Sequence, residues 1–209
     1  AERWAALHAE FLDTDPRAAR HAGILYPEQP AALRSQLADV LGDGAARTRS
    51  GSDVVGVMAP HGPLELVGDV LDETARDLPP PDDLDVVVVL GTDHGPGLLP
   101  YAVARRGFAT PLGAAPADLE TIDALERRVD WILREEIRHR DAHSIELALL
   151  PLQAIYGSRM PSIVPVLCSA GVLRGRDPGP AERFVAVLEG LLDGRRALLW
   201  GSAELSHAG

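Results

Sequence analysis

Lysine is absent from this chain: all twenty cationic side chains are arginine. That excludes Schiff-base chemistry on a lysine and a phosphate-binding loop of the kind that ends in Gly-Lys. A single cysteine, Cys168, excludes an intramolecular disulfide framework and any multi-cysteine zinc or iron–sulfur site within the chain. It lies in the apolar run Ile163-Val164-Pro165-Val166-Leu167-Cys168, where a core thiol is the expected role. No apolar stretch approaches the roughly 18–20 residues that span a bilayer. No basic segment followed by an apolar one marks a signal peptide, so a cytoplasmic protein is expected, with no membrane partner. Cations are outnumbered by thirty-one acidic residues, for a net charge of −11. Tracking a phosphate backbone needs a basic footprint, so nucleic acid is excluded as a partner.

With 209 residues, 46% of them apolar, the chain is long enough for one domain with a substantial core. Apolar positions Trp4, Leu7, His8, Phe11 and Leu12 recur at helical spacing, and Asp13-Thr14-Asp15-Pro16 breaks that helix. A second helix is expected from Pro30 to Leu41, ended by Gly42-Asp43-Gly44 and followed by a polar linker over Arg47–Ser52. Strands and helices then alternate. Strands are expected at Val54–Met58, Val86–Leu90, Tyr101–Arg105, Ile163–Leu167 and Ala197–Gly201. Helices are expected at Leu66–Leu78, Ala117–Ile137, Ser144–Tyr156 and Ala181–Leu192. The unbroken run Val86-Val87-Val88-Val89-Leu90 reads as a strand buried on both faces. The pattern predicts a single α/β domain: a central, mostly parallel or mixed sheet with helices on both faces.

The chemistry points to histidine. Of seven histidines, His61, His94 and His207 each follow a predicted strand, and His143 stands at the start of a predicted helix. Ligands bind open α/β sheets at the carboxyl edge of the strands, so these residues can converge on one crevice. Imidazole suits iron, copper, nickel or zinc, and two or three imidazoles with a carboxylate form a mononuclear site. The nearby carboxylates are Asp93, Asp141, Glu146 and Glu204. Each residue also has a plainer role open to it. A histidine after a strand also serves as a loop residue, Asp93 as a turn cap, and Glu146 and Glu204 as first-turn helix residues. His8, His21 and His139 are assigned to surface or packing roles, His139 within the solvated cluster Arg138-His139-Arg140. No nucleophile elbow, Gly-x-Gly-x-x-Gly loop or His-Glu-x-x-His helix is present in the sequence.

Seven segments, in order, resemble the Memo-like family. They are His21-Ala22-Gly23-Ile24-Leu25-Tyr26-Pro27, Ala59-Pro60-His61 with Gly68, Leu90-Gly91-Thr92-Asp93-His94, Thr110-Pro111-Leu112-Gly113, His143-Ser144-Ile145-Glu146, Ile163-Val164-Pro165-Val166, and Ser202-Ala203-Glu204-Leu205-Ser206-His207-Ala208-Gly209. That family is similar in fold to class III extradiol dioxygenases, which activate oxygen with non-haem Fe(II). The resemblance implies that His61 and His94 are metal ligands and that His207 acts as acid–base. It also implies that His143 and Glu204 line the same cavity. The sequence departs from the family pattern at Gly62-Pro63, Leu64, Leu66 and Val67, where the family has Ala-Gly and aromatic or serine residues, and Ala142 replaces the acid before His143. The family's third ligand, a cysteine (a glutamate in the dioxygenases), has no counterpart here. Cys168 does not match it; the alternatives are that the part of the chain bearing this ligand is absent here, that the site is incomplete, or that Glu204 or His207 substitutes.

The division implied is a helical extension over 1–19 and a Memo-like domain over 20–209, expected to lack its C-terminal part. The expected function is that of a metal-dependent oxidoreductase of dioxygenase type. Fe(II) is the expected metal, with copper and zinc as alternatives, and the expected substrate is a small organic molecule. The alternatives are a non-catalytic binding or scaffold module with a degenerate metal site, and a metal-dependent hydrolase. A homo-oligomer is compatible with either.

Overall fold

The computed structural model describes residues 2–42, 48–49, 53–76, 78–95, 97–169 and 177–204. After α1 (Glu2–Asp13) and α2 (Pro30–Leu41) come β1 (Gly56–Pro60), α3 (Leu64–Ala75), β2 (Val86–Thr92) and β3 (Tyr101–Val103). The hairpin β4 (Phe108–Thr110) and β5 (Gly113–Ala115) follows, then α4 (Leu119–Arg128) and α5 (His143–Tyr156). The described chain closes with β6 (Ser162–Cys168), α6 (Gly179–Leu192) and β7 (Ala197–Ala203). Five strands form one mixed sheet in the order β1-β7-β2-β6-β3, with only β3 antiparallel to its neighbour. No helix among the described residues is long and apolar enough to cross a membrane.

The two-residue side-chain period of a strand divides the core. Val87 and Val89 of β2 face one way, into a cluster with Leu33 and Leu37 of α2, Leu64 and Leu71 of α3, and Ile145 and Leu149 of α5. Val86 and Val88 face the other way, against Ile122 and Leu125 of α4 and Phe184 and Leu188 of α6. Helices therefore cover both faces, and the run of valines is buried on both sides as its composition predicts.

The expected helix over Ala117–Ile137 is much shorter. Asp118 caps α4 by accepting from the Thr121 amide at 3.0 Å, and the helix ends at Arg128. The chain then turns so that Val129 and Ile132 are buried, and a 3₁₀ turn spans Glu136–Arg140. The buried Glu136 carboxylate explains the turn: it accepts from the Arg105 amide at 2.7 Å and from Arg106 at 2.8 Å. Strand β1 starts two residues later than expected, leaving Val55 largely exposed, and α3 runs earlier than expected. Strand β3 ends at Val103 rather than Arg105. The β4–β5 hairpin was not anticipated, because three-residue strands carry too little alternation to read. Of the predicted linker over Arg47–Ser52, only Thr48 and Arg49 lie within the described residues.

His139 is the clearest correction. It is completely buried rather than solvated, with its Nε2 at 2.9 Å from the Ala102 carbonyl. Burial pushes its pKa down to about 3. It is therefore neutral in the fold, and Nε2–H donates to that carbonyl. Arg138 is not free in solvent either, since it pairs with Asp93 and Glu135.

Beside it lies the buried ion pair of Arg17 and Glu146. The Arg17 guanidinium also donates to the carbonyls of His139 (3.0 Å), Arg140 (3.1 Å) and Ala142 (3.1 Å). Glu146 accepts in addition from the Tyr26 hydroxyl and from the His21 amide at 2.8 Å. Glu146 is thus a structural anchor that ties the N-terminal segment to α5.

Two outcomes are expected. Arg17→Met, which strands a buried carboxylate, costs about 3–5 kcal/mol in urea unfolding; a loss under about 1 kcal/mol contradicts the anchor role. His139 has a folded pKa below its unfolded value of about 6.5. As pH falls from about 6.5 toward about 3, the unfolded state gains a proton that the native state does not, so stability falls. His139→Gln flattens that slope in acid-unfolding curves, and an unchanged slope rules out the assignment.

Candidate metal centre

Three parallel strands end level with one another. The register pairs Pro60 of β1 with Ala203 of β7, and Gly91 of β2 with Ser202 of β7. The residues that follow, His61, Glu204 and His94, therefore emerge side by side at the carboxyl edge, with Glu204 on the middle strand. The fourth member comes from a helix. His143 is the first residue of α5, whose start lies against β2 and β7. Ser144 Oγ donates to the Thr92 carbonyl at 2.7 Å, and Ser202 Oγ donates to the Ser144 carbonyl at 2.7 Å. This approach requires Gly91, where an added Cβ would lie 2.6 Å from both Ser144 Oγ and Ile145 Cδ1.

One ligand atom from each of His61, His94, His143 and Glu204 lies within 4.8 Å of all the others. His61 Nε2 is 3.0 Å from His94 Nε2 and 3.5 Å from Glu204 Oε1. The His94 and His143 rings stack with centroids 4.6 Å apart, and the His61 ring stands at a steep angle to both, with centroids at 5.3 and 5.4 Å. His61 is buried, His143 and Glu204 are half-buried, and His94 is exposed at the mouth. Burial, then the neighbouring His94 and His61, lower the His143 pKa to about 4, so its ring is neutral near pH 7 with a lone pair to offer.

These residues fit a transition-metal ion. Imidazole nitrogen and carboxylate oxygen bind such ions at about 2.0–2.2 Å. Two donors at right angles around one ion then lie about 3 Å apart, which is the His61–His94 spacing observed. Three imidazoles with one carboxylate are donors for iron, zinc, copper or nickel, and lack the thiolates that select softer sites.

The loop bearing His94 is held from the side. Asp93 pairs with the largely buried Arg138 and accepts from Ser169 Oγ at 3.0 Å and from the Gly95 amide at 2.8 Å. The turn-capping role open to Asp93 is therefore the one it performs. Asp141 is exposed and pairs with Arg20 and Arg140, apart from the cluster. Cys168, held in β6 with its pKa raised to about 11 by burial, is likewise not among the clustered residues. His207, expected as acid–base, lies outside the described residues.

Sequence reasoning placed His21 among surface and packing residues. The structure packs its half-buried ring edge-on to His143, with centroids 5.7 Å apart and Nε2 at 3.2 Å from the Asp141 carbonyl. No local period marks this contact, because the segment carrying His21 meets its partners, Glu146 and Asp141, more than a hundred residues along the chain.

The family described as Memo-like protein matches residues 17–209. A MEMO1 family protein of Aquifex aeolicus is 25% identical over 201 residues, which is 96% of this chain and 51% of the relative. Another from Methanopyrus kandleri is 30% identical over 89% of this chain and 67% of the relative. A third, from Thermotoga neapolitana, is 32% identical over 73% of this chain and 53% of the relative. The chain thus spans about half to two thirds of the length of these relatives. With the family matched along nearly all of its length, and with the histidine segments gathered at one sheet edge, the chain belongs to the Memo family.

Proposed function

We propose that this chain is a non-haem-metal oxidoreductase of dioxygenase-like type, with Fe(II) as its metal and a small organic molecule as its substrate. The observation that carries the reading is the convergence of His61, His94, His143 and Glu204 at the carboxyl edge of the sheet. When bound, Fe(II) supplies the redox chemistry that activates dioxygen toward an organic substrate.

The chain's own residues do the rest. His61 and His94 would hold the metal through their imidazole nitrogens, and Glu204 would balance part of its charge. Asp93, Arg138 and Ser169 fix the loop that presents His94, which limits the reorganisation needed when the ion enters. Ser144 and Ser202 fix the start of α5 against the strand ends. His207, by its place in the family motif, is the residue that moves a proton to or from the substrate. Most of the site's donors stand at strand ends and a helix start, rigid elements that hold them in place.

Elemental analysis of anaerobically purified protein tests this reading. Near-stoichiometric iron is expected, lost in the His61→Ala/His94→Ala double variant with its far-UV circular dichroism intact. Metal retained in that variant removes the site assignment. Zinc in place of iron, without oxygen uptake, moves the assignment to metal-dependent hydrolysis. His207→Ala is expected to keep the iron and to lower oxygen consumption by about 10²–10⁴-fold. Undiminished consumption excludes it as the acid–base.

A further inference from the structure

We propose that the cavity at the far end of α5 is a second binding site, which takes a small amphipathic monoanion by pairing its acidic head with Arg34 and laying its apolar body against α2. The site is separate from the metal centre and does not depend on the function proposed for it.

Helix α5 starts at His143 and runs away from the metal centre. Its fourteen residues, at about 1.5 Å each, put the other end about 20 Å off, where Gly157 turns the chain with a φ of +57°. There a cavity of about 670 Å³ opens between α2, the β4–β5 turn and the end of α5. That volume falls within the roughly 300–1,000 Å³ of small-molecule sites. The cavity lies at the amino edge of the sheet, since the carbonyl of its wall residue Pro116 accepts from the amide of Ile163, near the start of β6. The donors of the metal centre stand past the opposite, carboxyl ends of the strands, and the two sites share no residue.

The walls are held apart by bonds of their own. Gln153, 5% exposed, accepts from the Thr110 hydroxyl and donates from Nε2 to the Gly113 carbonyl at 3.1 Å, which ties the hairpin to α5. Within the same turn the Leu112 amide donates to Thr110 Oγ1 at 3.1 Å. At Gly113 and Gly157 an added Cβ would meet nothing within 4 Å, so both turns border open space. Leu37 and Leu41 of α2 line the cavity, with Leu112 and Met160.

Arg34 is the one charged residue on this lining, and no carboxylate competes for it there. Its guanidinium makes no ion pair or hydrogen bond among the described residues, whereas Arg17, Arg106, Arg138 and Arg195 each hold a carboxylate. A guanidinium binds an added carboxylate through charge-assisted, often paired hydrogen bonds. The Gln153 amide has a second N–H, unused by its bonds to Thr110 and Gly113, for an acceptor on the ligand. One cation among aliphatic side chains specifies one negative charge and an apolar body. The net charge of −11 disfavours polyanions. A medium-chain carboxylic acid has the required chemistry.

Decanoate, below its micelle concentration, and uncharged 1-decanol are the probes, titrated calorimetrically into the whole chain. One decanoate is expected to bind per chain, more tightly than decanol. Arg34→Gln, at an exposed position, is expected to weaken decanoate by about tenfold or more and to leave decanol unchanged. Ala38→Trp fills the cavity from an exposed helix position and is expected to abolish binding of both, with an unchanged circular dichroism spectrum. The His61→Ala/His94→Ala double variant is expected to bind decanoate as the wild type does. No decanoate binding to the wild type, or equal affinity for decanoate and decanol, overturns the proposal. So does binding that survives both Arg34→Gln and Ala38→Trp, which places the probe elsewhere, or binding lost in the double histidine variant, which places it at the metal centre.

Discussion

One buried ion pair, Arg17 with Glu146, does much of the work of placing the site. Two opposite charges at this depth are costly to desolvate, and the cost is offset only because nearly every polar atom around them is used. Arg17 satisfies carbonyls at 139, 140 and 142; Glu146 satisfies the amides of Arg20 and His21 and the hydroxyl of Tyr26. Burial lowers the Arg17 pKa to about 10, and it remains charged near pH 7. The pair therefore pins the irregular stretch before α5 and delivers His143 to the strand ends. A second arginine repeats the device: Arg106 joins Glu136 to the carbonyls that end α1. An arginine fork suits such collars of carbonyls, where the single ammonium of lysine would satisfy fewer acceptors.

What the sequence reveals follows the range of the interactions. The sheet is legible because Val86–Leu90 is a local pattern with one physical solution, burial on both faces. His61 and His94 are legible because parallel strands with matched register must end together, so the residues just past them share an edge. The boundaries of α4 and the roles of His139 and Glu146 depend on partners far off in the chain. Glu136 meets Arg106 thirty residues away, and Arg17 meets Glu146 at a separation of 129. No local period records such pairs. The cluster Arg138-His139-Arg140 looks solvated by composition, yet the fold buries its histidine and gives both arginines carboxylate partners.

The same distinction separates the two kinds of histidine in this protein. His139 is buried, neutral and bonded to a backbone carbonyl, a packing residue whose charge the fold excludes. His143 is also held neutral, but it faces two other imidazoles and a carboxylate. Burial weakens the basicity of both rings; only the second is surrounded by lone pairs that a cation can share. Location on an element end rather than within a packed turn is what makes the difference.

That arrangement bears on how metal binding couples to folding. In small metal domains the ligands meet only when the ion is present, so binding energy is folding energy. Here the strand register, the Arg17 collar and the Asp93–Arg138 clamp bring the donors together through contacts that involve no ion. A bound ion then stabilises the native state by mass action, about 2.7 kcal/mol at a hundredfold excess over its dissociation constant.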